Sequence, residues 1–143
     1  MAASYVQGGL QTLLEVLFRN ATGPTSFQVG LITNASLAAN ATIGDVTELA
    51  GDTYARQTIN RDATAAGFSS SSVGSNAWNV VAPAVTFTNS SGNAWAAANT
   101  AILVARVSGN DVLIGHLPLS TARTLQPLDS LTVTFTSLKL TEG

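Results

Sequence analysis

The sequence predicts a mainly β protein, an antiparallel β-sandwich or jelly-roll-like fold with one N-terminal α-helix, in a single domain of residues 1–143. Apolar residues recur with the helical period of about 3.6 only before residue 18, and from Ser26 onward the period is close to 2. Six to eight short segments with this second period are separated by turn residues. That arrangement is typical of antiparallel sandwiches.

The helix is predicted over residues 4–18. Its evidence is a leucine stripe at i, i+3, i+4 and i+7, formed by Leu10, Leu13, Leu14 and Leu17. Ser4 is a suitable N-cap, and the segment 20–24 contains the Gly-Pro pair that ends helices. Gly8 and Gly9 weaken the first turn by about 1 kcal/mol each relative to alanine. We therefore expect packing of the stripe to hold the helix, and we take its four leucines as candidate interface residues.

The remaining segments are predicted from alternation and turn residues. Strands are expected at 26–32, 53–60, 78–81, 84–88, 101–107, 112–117 and 131–140, and loops at 34–51, 61–77 and 118–130. The 101–107 run is almost continuously apolar, which predicts a central strand. In the last strand the apolar positions change parity between Phe135 and Leu138. This change indicates either a β-bulge near Thr136 or a strand that leaves one sheet and joins another.

The composition is poor in charge and rich in small polar residues. Asp, Glu, Lys and Arg make up 10% of the chain, the net charge is −2, and there are 14 Ser, 18 Thr and 10 Asn. Six basic residues without a cluster argue against nucleic-acid binding, and no apolar run is long enough for a membrane span. The absence of cysteine excludes disulfides and Cys-ligated metals, and a single histidine excludes a multi-histidine metal site within one chain. We expect no metal and no cofactor. The surface must consist largely of hydroxyl and amide groups.

Few residues are candidates for chemistry. Asp45, Glu48 and Asp52 could bind calcium or serve a hydrolase, although turn and cap formation is the favoured interpretation. His116 could act as a general base, but a histidine at the rim of a sheet is favoured because no nucleophile or orienting group can be assigned. The arginines 56, 61, 106 and 123 are expected in isolated ion pairs or at a subunit contact.

Two tryptophans are further candidate interface residues. Trp78 and Trp95 could form a platform for sugar rings, but packing in the core or between subunits is favoured because neither has a charged neighbour. Asn89 is one of four asparagines that begin an N-x-Ser/Thr triplet. In a chain with so much Ser and Thr, such triplets arise by chance, and we do not expect glycosylation.

The arrangement from Tyr5 to the C-terminus resembles small structural proteins of tailed-bacteriophage virions. The matching features are the Leu-rich helix, a first strand ending at Ile32-Thr33-Asn34, the segment from Glu48 to Arg56, and the segments 78–89 and 128–135. Such proteins look like capsid decoration (cement) proteins or tail and fibre components, and the resemblance implies no catalytic residues.

This resemblance leads to a non-enzymatic function as the expectation. The main hypothesis is a virion protein that binds the outside of the capsid and cements neighbouring capsomers, with the major capsid protein and sister copies as partners. The resemblance suggests a trimer. The alternative hypothesis is a tail-fibre or adhesin module that binds a host receptor or glycan. A neutral polar surface suits either function, because close contacts then bury few charges.

Overall fold

The computed structural model describes residues 3–61, 67–72, 78–135 and 138–140. Within them the chain forms one α-helix, a short 3-10 turn at Ile43–Asp45 and ten β-strands, which confirms the mainly β class. The elements are β1 (Ser4–Tyr5), α1 (Gln7–Phe18), β2 (Ser26–Ile32), β3 (Gln57–Asn60), β4 (Ser69–Ser72), β5 (Trp78–Val81), β6 (Val85–Thr88), β7 (Ala98–Val107), β8 (Asn110–Arg123), β9 (Ser130–Val133) and β10 (Leu138–Leu140).

The strands of the described residues form three antiparallel sheets. The largest has the order β1-β8-β7-β2-β3, the second β10-β5-β4, and the third consists of β6 and β9. Strand β7 lies in the middle of the five-stranded sheet, as its apolar run predicts. The β7–β8 hairpin turns at Ser108 and Gly109, which both have positive φ, as a tight two-residue hairpin requires.

The five-stranded sheet is buried on both faces. One face carries Leu103 and Ile114 and packs against Phe87 of β6 and Val133 of β9, so two sheets enclose a core as in a sandwich. The other face carries Val104 and its neighbours and is covered by the segment 37–46. For this reason residues 29–32 of β2 are all buried and do not alternate between a buried and an exposed face.

The parity change near the C-terminus reflects a change of sheet. Strand β9 pairs with β6, whereas β10 pairs with β5 in the three-stranded sheet. Phe135, between the two strands, still belongs to the core. The second of the two alternatives drawn from the sequence is therefore confirmed.

The prediction of the helix start was wrong by three residues. Ser4 does not cap α1 but pairs with His116 in β1, and the N-cap position is held by Val6 without a side-chain hydrogen bond. The Val6 N–H donates to the carbonyl of Ile114 at 3.0 Å. The start of the helix is thus fixed by a hydrogen bond to a residue 108 positions later in the chain. A local sequence pattern does not reveal such a contact.

Two predicted loops contain strands. Ser69–Ser72 pairs with β5, although four serines suggested irregular chain. Strand β8 continues through Pro118 to Arg123, where a loop was predicted. In the described part of the chain β1 pairs with β8 only at Gly115 and His116, so β8 beyond them is an edge strand, where proline is tolerated.

Candidate functional site

The three acidic residues considered for a metal or hydrolase site have separate structural contacts. Asp45 accepts hydrogen bonds from the Thr42 backbone N–H at 2.8 Å and hydroxyl at 2.9 Å, and these lower its pKa. Glu48 pairs with Arg56, whereas the backbone carbonyl of Asp52 accepts the Trp95 indole N–H at 2.8 Å. Among the described residues, no three of His, Asp or Glu are grouped to hold a metal ion.

Arg56 is the centre of an ion network, where isolated pairs were predicted. Its guanidinium donates to both carboxylate oxygens of Glu48 at 2.9 Å and to Oδ2 of Asp111 at 2.7 Å. Arg106 donates to the other oxygen of Asp111. Burial acts to raise the pKa of Asp111, but the hydrogen bonds from the two arginines outweigh it, and the pKa is lowered. The network ties the β7–β8 hairpin to the segment before β3, so we assign it to the fold.

Trp95 lies in the core. It is 3% exposed, and its ring makes an edge-to-face contact with Tyr54 at a centroid distance of 5.6 Å. The Tyr54 hydroxyl accepts the Leu31 N–H at 2.8 Å and donates to Glu48 at 3.0 Å. Trp95 therefore offers no exposed ring to a sugar on this protomer. The backbone of Trp78 belongs to β5, but its side chain lies outside the described residues.

His116 is half-buried on β8. Its Nδ1 is buried and has no hydrogen-bond partner within the described part of the chain. Burial lowers the pKa of the ring. A general base needs a partner that fixes the tautomer, so the geometry fits a structural histidine. The prediction of a position at the rim of the sheet was wrong, because His116 pairs with Ser4 of β1 on one side and with Ile102 of β7 on the other.

The most unusual surface belongs to α1. Gly9 is its only buried residue, and Leu14, Leu17 and Phe18 are 51%, 68% and 80% exposed. Leu10 and Leu13 are half-buried. The expectation that the leucine stripe holds the helix was therefore wrong, because backbone contact at Gly9 does so instead. We call Leu14, Leu17 and Phe18 the α1 face.

An apolar cavity of about 240 Å³ lies beside this face. It is bounded by α1, the five-stranded sheet and the three-stranded sheet, and its walls include Leu13, Leu17, Phe27, Phe68, Val80 and Ile114. Leu17 belongs both to the cavity wall and to the α1 face. Phe27 and Phe68 contact each other edge to face at 4.9 Å.

A second exposed apolar feature was not found by sequence reasoning. Leu128 is 84% exposed and has φ of +73°, a left-handed conformation that costs a residue with a β-carbon about 1 kcal/mol. Its N–H donates to the carbonyl of Asn89 at 2.8 Å, and the Asn89 N–H donates to Asp129 at 2.9 Å. The only local signal was a leucine between Pro127 and Asp129, two residues that favour turns.

The described surface thus has two exposed apolar features, the α1 face and Leu128. The family model described as "Podophage GP4 fiber I protein gp80" matches residues 7–141. The chain belongs to this family. It is a structural protein of a tailed-phage virion. No curated protein and no solved structure is significantly similar to it.

Membership in the fibre I family bears on the two functional hypotheses. The description names a fibre, so it supports the tail-fibre alternative more than a cement function on the capsid. A structural family is also consistent with the expected non-enzymatic function. None of the described helices has the length and apolar character to cross a membrane.

Proposed function

We propose that this fibre I family member is a non-enzymatic structural subunit of a tail fibre, which joins neighbouring copies of itself through the α1 face. The observation that carries the proposal is the exposure of Leu14, Leu17 and Phe18 on successive turns of one helix. Large apolar side chains that are exposed together mark contact sites on soluble proteins. In a chain with so few charges, this surface favours association over solubility.

A second copy is the partner that the charges favour. The only charged side chains of α1 and its C-cap are Glu15 and Arg19, which form an i,i+4 pair at 3.7 Å. The two charges of α1 and its C-cap therefore cancel, and the whole chain carries only −2. Two copies can approach without like-charge repulsion. With a fibre as the setting, we propose sister copies, in the trimer that the resemblance suggests, and not the major capsid protein.

Light scattering coupled to size-exclusion chromatography tests the proposal. The unchanged protein should elute as an oligomer. The double variant Leu14→Asp, Phe18→Asp should shift to the monomer, because burying two carboxylates in an apolar contact is costly. Both residues are more than half exposed, so the fold should persist by circular dichroism.

Thr58→Asp is the control, since Thr58 is exposed on β3 at the opposite edge of the five-stranded sheet from β1. It adds a charge without touching α1 and should leave the oligomer intact. An unchanged protein that stays monomeric at high concentration would refute the proposal. So would a double variant that assembles as well as the control.

A further inference from the structure

Leu128 combines two properties that neither folding nor solubility explains. Its side chain is 84% exposed, so the fold gains little from its burial, and its backbone has a conformation that favours Gly or Asn. A strained residue that contributes little to the protomer indicates a role outside it. An apolar contact with another molecule would explain both properties.

The turn that carries Leu128 is firmly held. Asn89 is fully buried, and its side-chain amide donates to the carbonyls of Asn93 and Leu125 at 2.8 and 2.9 Å. Its own backbone is hydrogen-bonded to Leu128 and Asp129, and the Asp129 carboxylate accepts the Gln126 N–H at 3.0 Å. The backbone of Leu128 is therefore held in one conformation, and little conformational entropy is lost when the side chain docks.

The apolar cavity beside α1 is suited to such a side chain. Its volume of about 240 Å³ lies below the usual range of about 300–1,000 Å³ for small-molecule sites. Its walls are aliphatic and aromatic, and Val80 and Leu17 at the walls are 36% and 68% exposed. A single aliphatic side chain that enters from outside would cover this surface.

The turn and the cavity lie toward opposite ends of β7. The segment that leads to Leu128 leaves β8 at Arg123, which pairs with Ala98 at the start of β7. The cavity contains Phe27, which pairs with Ala105 near the end of β7. One protomer thus carries a projection toward one end and a recess toward the other.

We propose that Leu128 of one copy docks into the apolar cavity of the next copy, so that the chains associate head to tail. This inference rests on the proposed function, in which copies of the chain contact each other, and it specifies the two surfaces that meet. A head-to-tail contact uses different surfaces on the two partners. It closes into a ring, such as a trimer, or continues as a filament, depending on the rotation between copies.

Site-specific cross-linking tests the contact directly, because the chain has no cysteine of its own. Leu128→Cys and Val80→Cys proteins are mixed and treated with a short bifunctional maleimide. The mixture should give a cross-linked dimer, whereas each variant alone should give none. Thr58→Cys replaces Val80→Cys as the control, because Thr58 lies on the other face of β3 from Ile59, the residue that pairs with the cavity residue Phe27, and it should not cross-link to residue 128.

A second variant separates docking from folding. Leu128→Asn places a residue that tolerates positive φ at the turn, so the unfolding midpoint of the dilute protein should be unchanged or higher. Self-association should weaken by about tenfold or more, as expected for the loss of an anchoring side chain. Leu125→Asn, three residues earlier and 3% exposed, should instead lower the midpoint strongly.

The outcomes distinguish the two proposals. Oligomers without a 128–80 cross-link, or a dimer formed by Leu128→Cys alone, would overturn the head-to-tail contact and leave the proposed function standing. A Leu128→Asn variant that assembles as tightly as the unchanged protein would overturn it as well. Absence of any oligomer would overturn both.

Discussion

Gly9 of α1 lies directly on the backbone of Ile114 in β8. A β-carbon added to Gly9 would be 2.6 Å from the Ile114 Cα, far closer than atoms approach in a folded protein. The pairing register of β7 with β8 shifts between Leu103 and Val104, which leaves Ile114 as the extra residue of a β-bulge. The Ile114 carbonyl accepts the Val6 N–H. The bulge at Ile114 and the missing side chain of Gly9 together allow the helix to pack directly against the sheet.

Replacing Gly8 and replacing Gly9 by alanine should have opposite effects on the free energy of unfolding. Gly9→Ala should lower the free energy of unfolding by about 1–3 kcal/mol, because the backbone of Ile114 cannot yield like a flexible side chain. Gly8 has nothing within 4 Å of an added β-carbon, so Gly8→Ala should raise the free energy of unfolding by up to about 1 kcal/mol. Urea denaturation of the two variants measures both values. Equal effects of the same sign would contradict the conclusion that close contact between Gly9 and the Ile114 backbone positions the helix.

The Tyr54 hydroxyl accepts a hydrogen bond from the backbone N–H of Leu31 in β2. Tyr54→Phe should lower the free energy of unfolding by about 1–3 kcal/mol, because the buried Leu31 N–H then loses its acceptor. Tyr5→Phe is a matched control: the Tyr5 hydroxyl has no hydrogen-bond partner in the described part of the chain, and its removal should have little effect. Burial and the nearby Glu48 raise the pKa of Tyr54 above its usual value. Burial also raises the pKa of Tyr5, so in a spectrophotometric titration both tyrosines should ionise above the usual pH, and Tyr54→Phe should leave only the ionisation of Tyr5.

Parts of the fold that depend on a local pattern could be predicted from the sequence. The apolar run in β7 and the alternation in β2 and β6 identified strands, and the parity change after Phe135 identified a change of sheet. These features are local because the two faces of a strand alternate residue by residue. The leucines of α1 were also recognised as candidate interface residues from their spacing.

The remaining features depend on contacts between distant parts of the chain. Gly9 was interpreted as a weak point of the helix, since nothing local shows that Ile114 lies against it. Ser4 was interpreted as a cap because its pairing with His116 is distant in sequence. The exposure of Leu128 and its positive φ follow from hydrogen bonds to Asn89, 39 positions earlier. A leucine in a turn carries no sign of either property.

His116 should make stability depend on pH near neutrality. Burial lowers its pKa in the folded protein from the ordinary value of 6.5, so below neutrality the unfolded chain binds more protons than the folded one. The free energy of unfolding should therefore decrease as the pH falls through about 6.5, until the folded protein also takes up the proton. Urea denaturation across this range should show the slope. His116→Gln should flatten it, and a slope that persists in that variant would contradict the assignment to His116.

Asn89 should be the most sensitive polar residue of the fold. Its buried amide donates to two carbonyls, and its Oδ1 accepts the N–H and the hydroxyl of Ser91 at 3.0 and 2.6 Å. Asn89→Ala leaves these groups without partners and should lower the free energy of unfolding by about 2–3 kcal/mol. Asn110→Ala is the control, because Asn110 is exposed and its only side-chain hydrogen bond within the described residues is 3.5 Å long. That variant should change stability by less than about 0.5 kcal/mol. Similar losses in both variants, measured by urea denaturation, would show that the Asn89 amide does not hold the Leu128 turn.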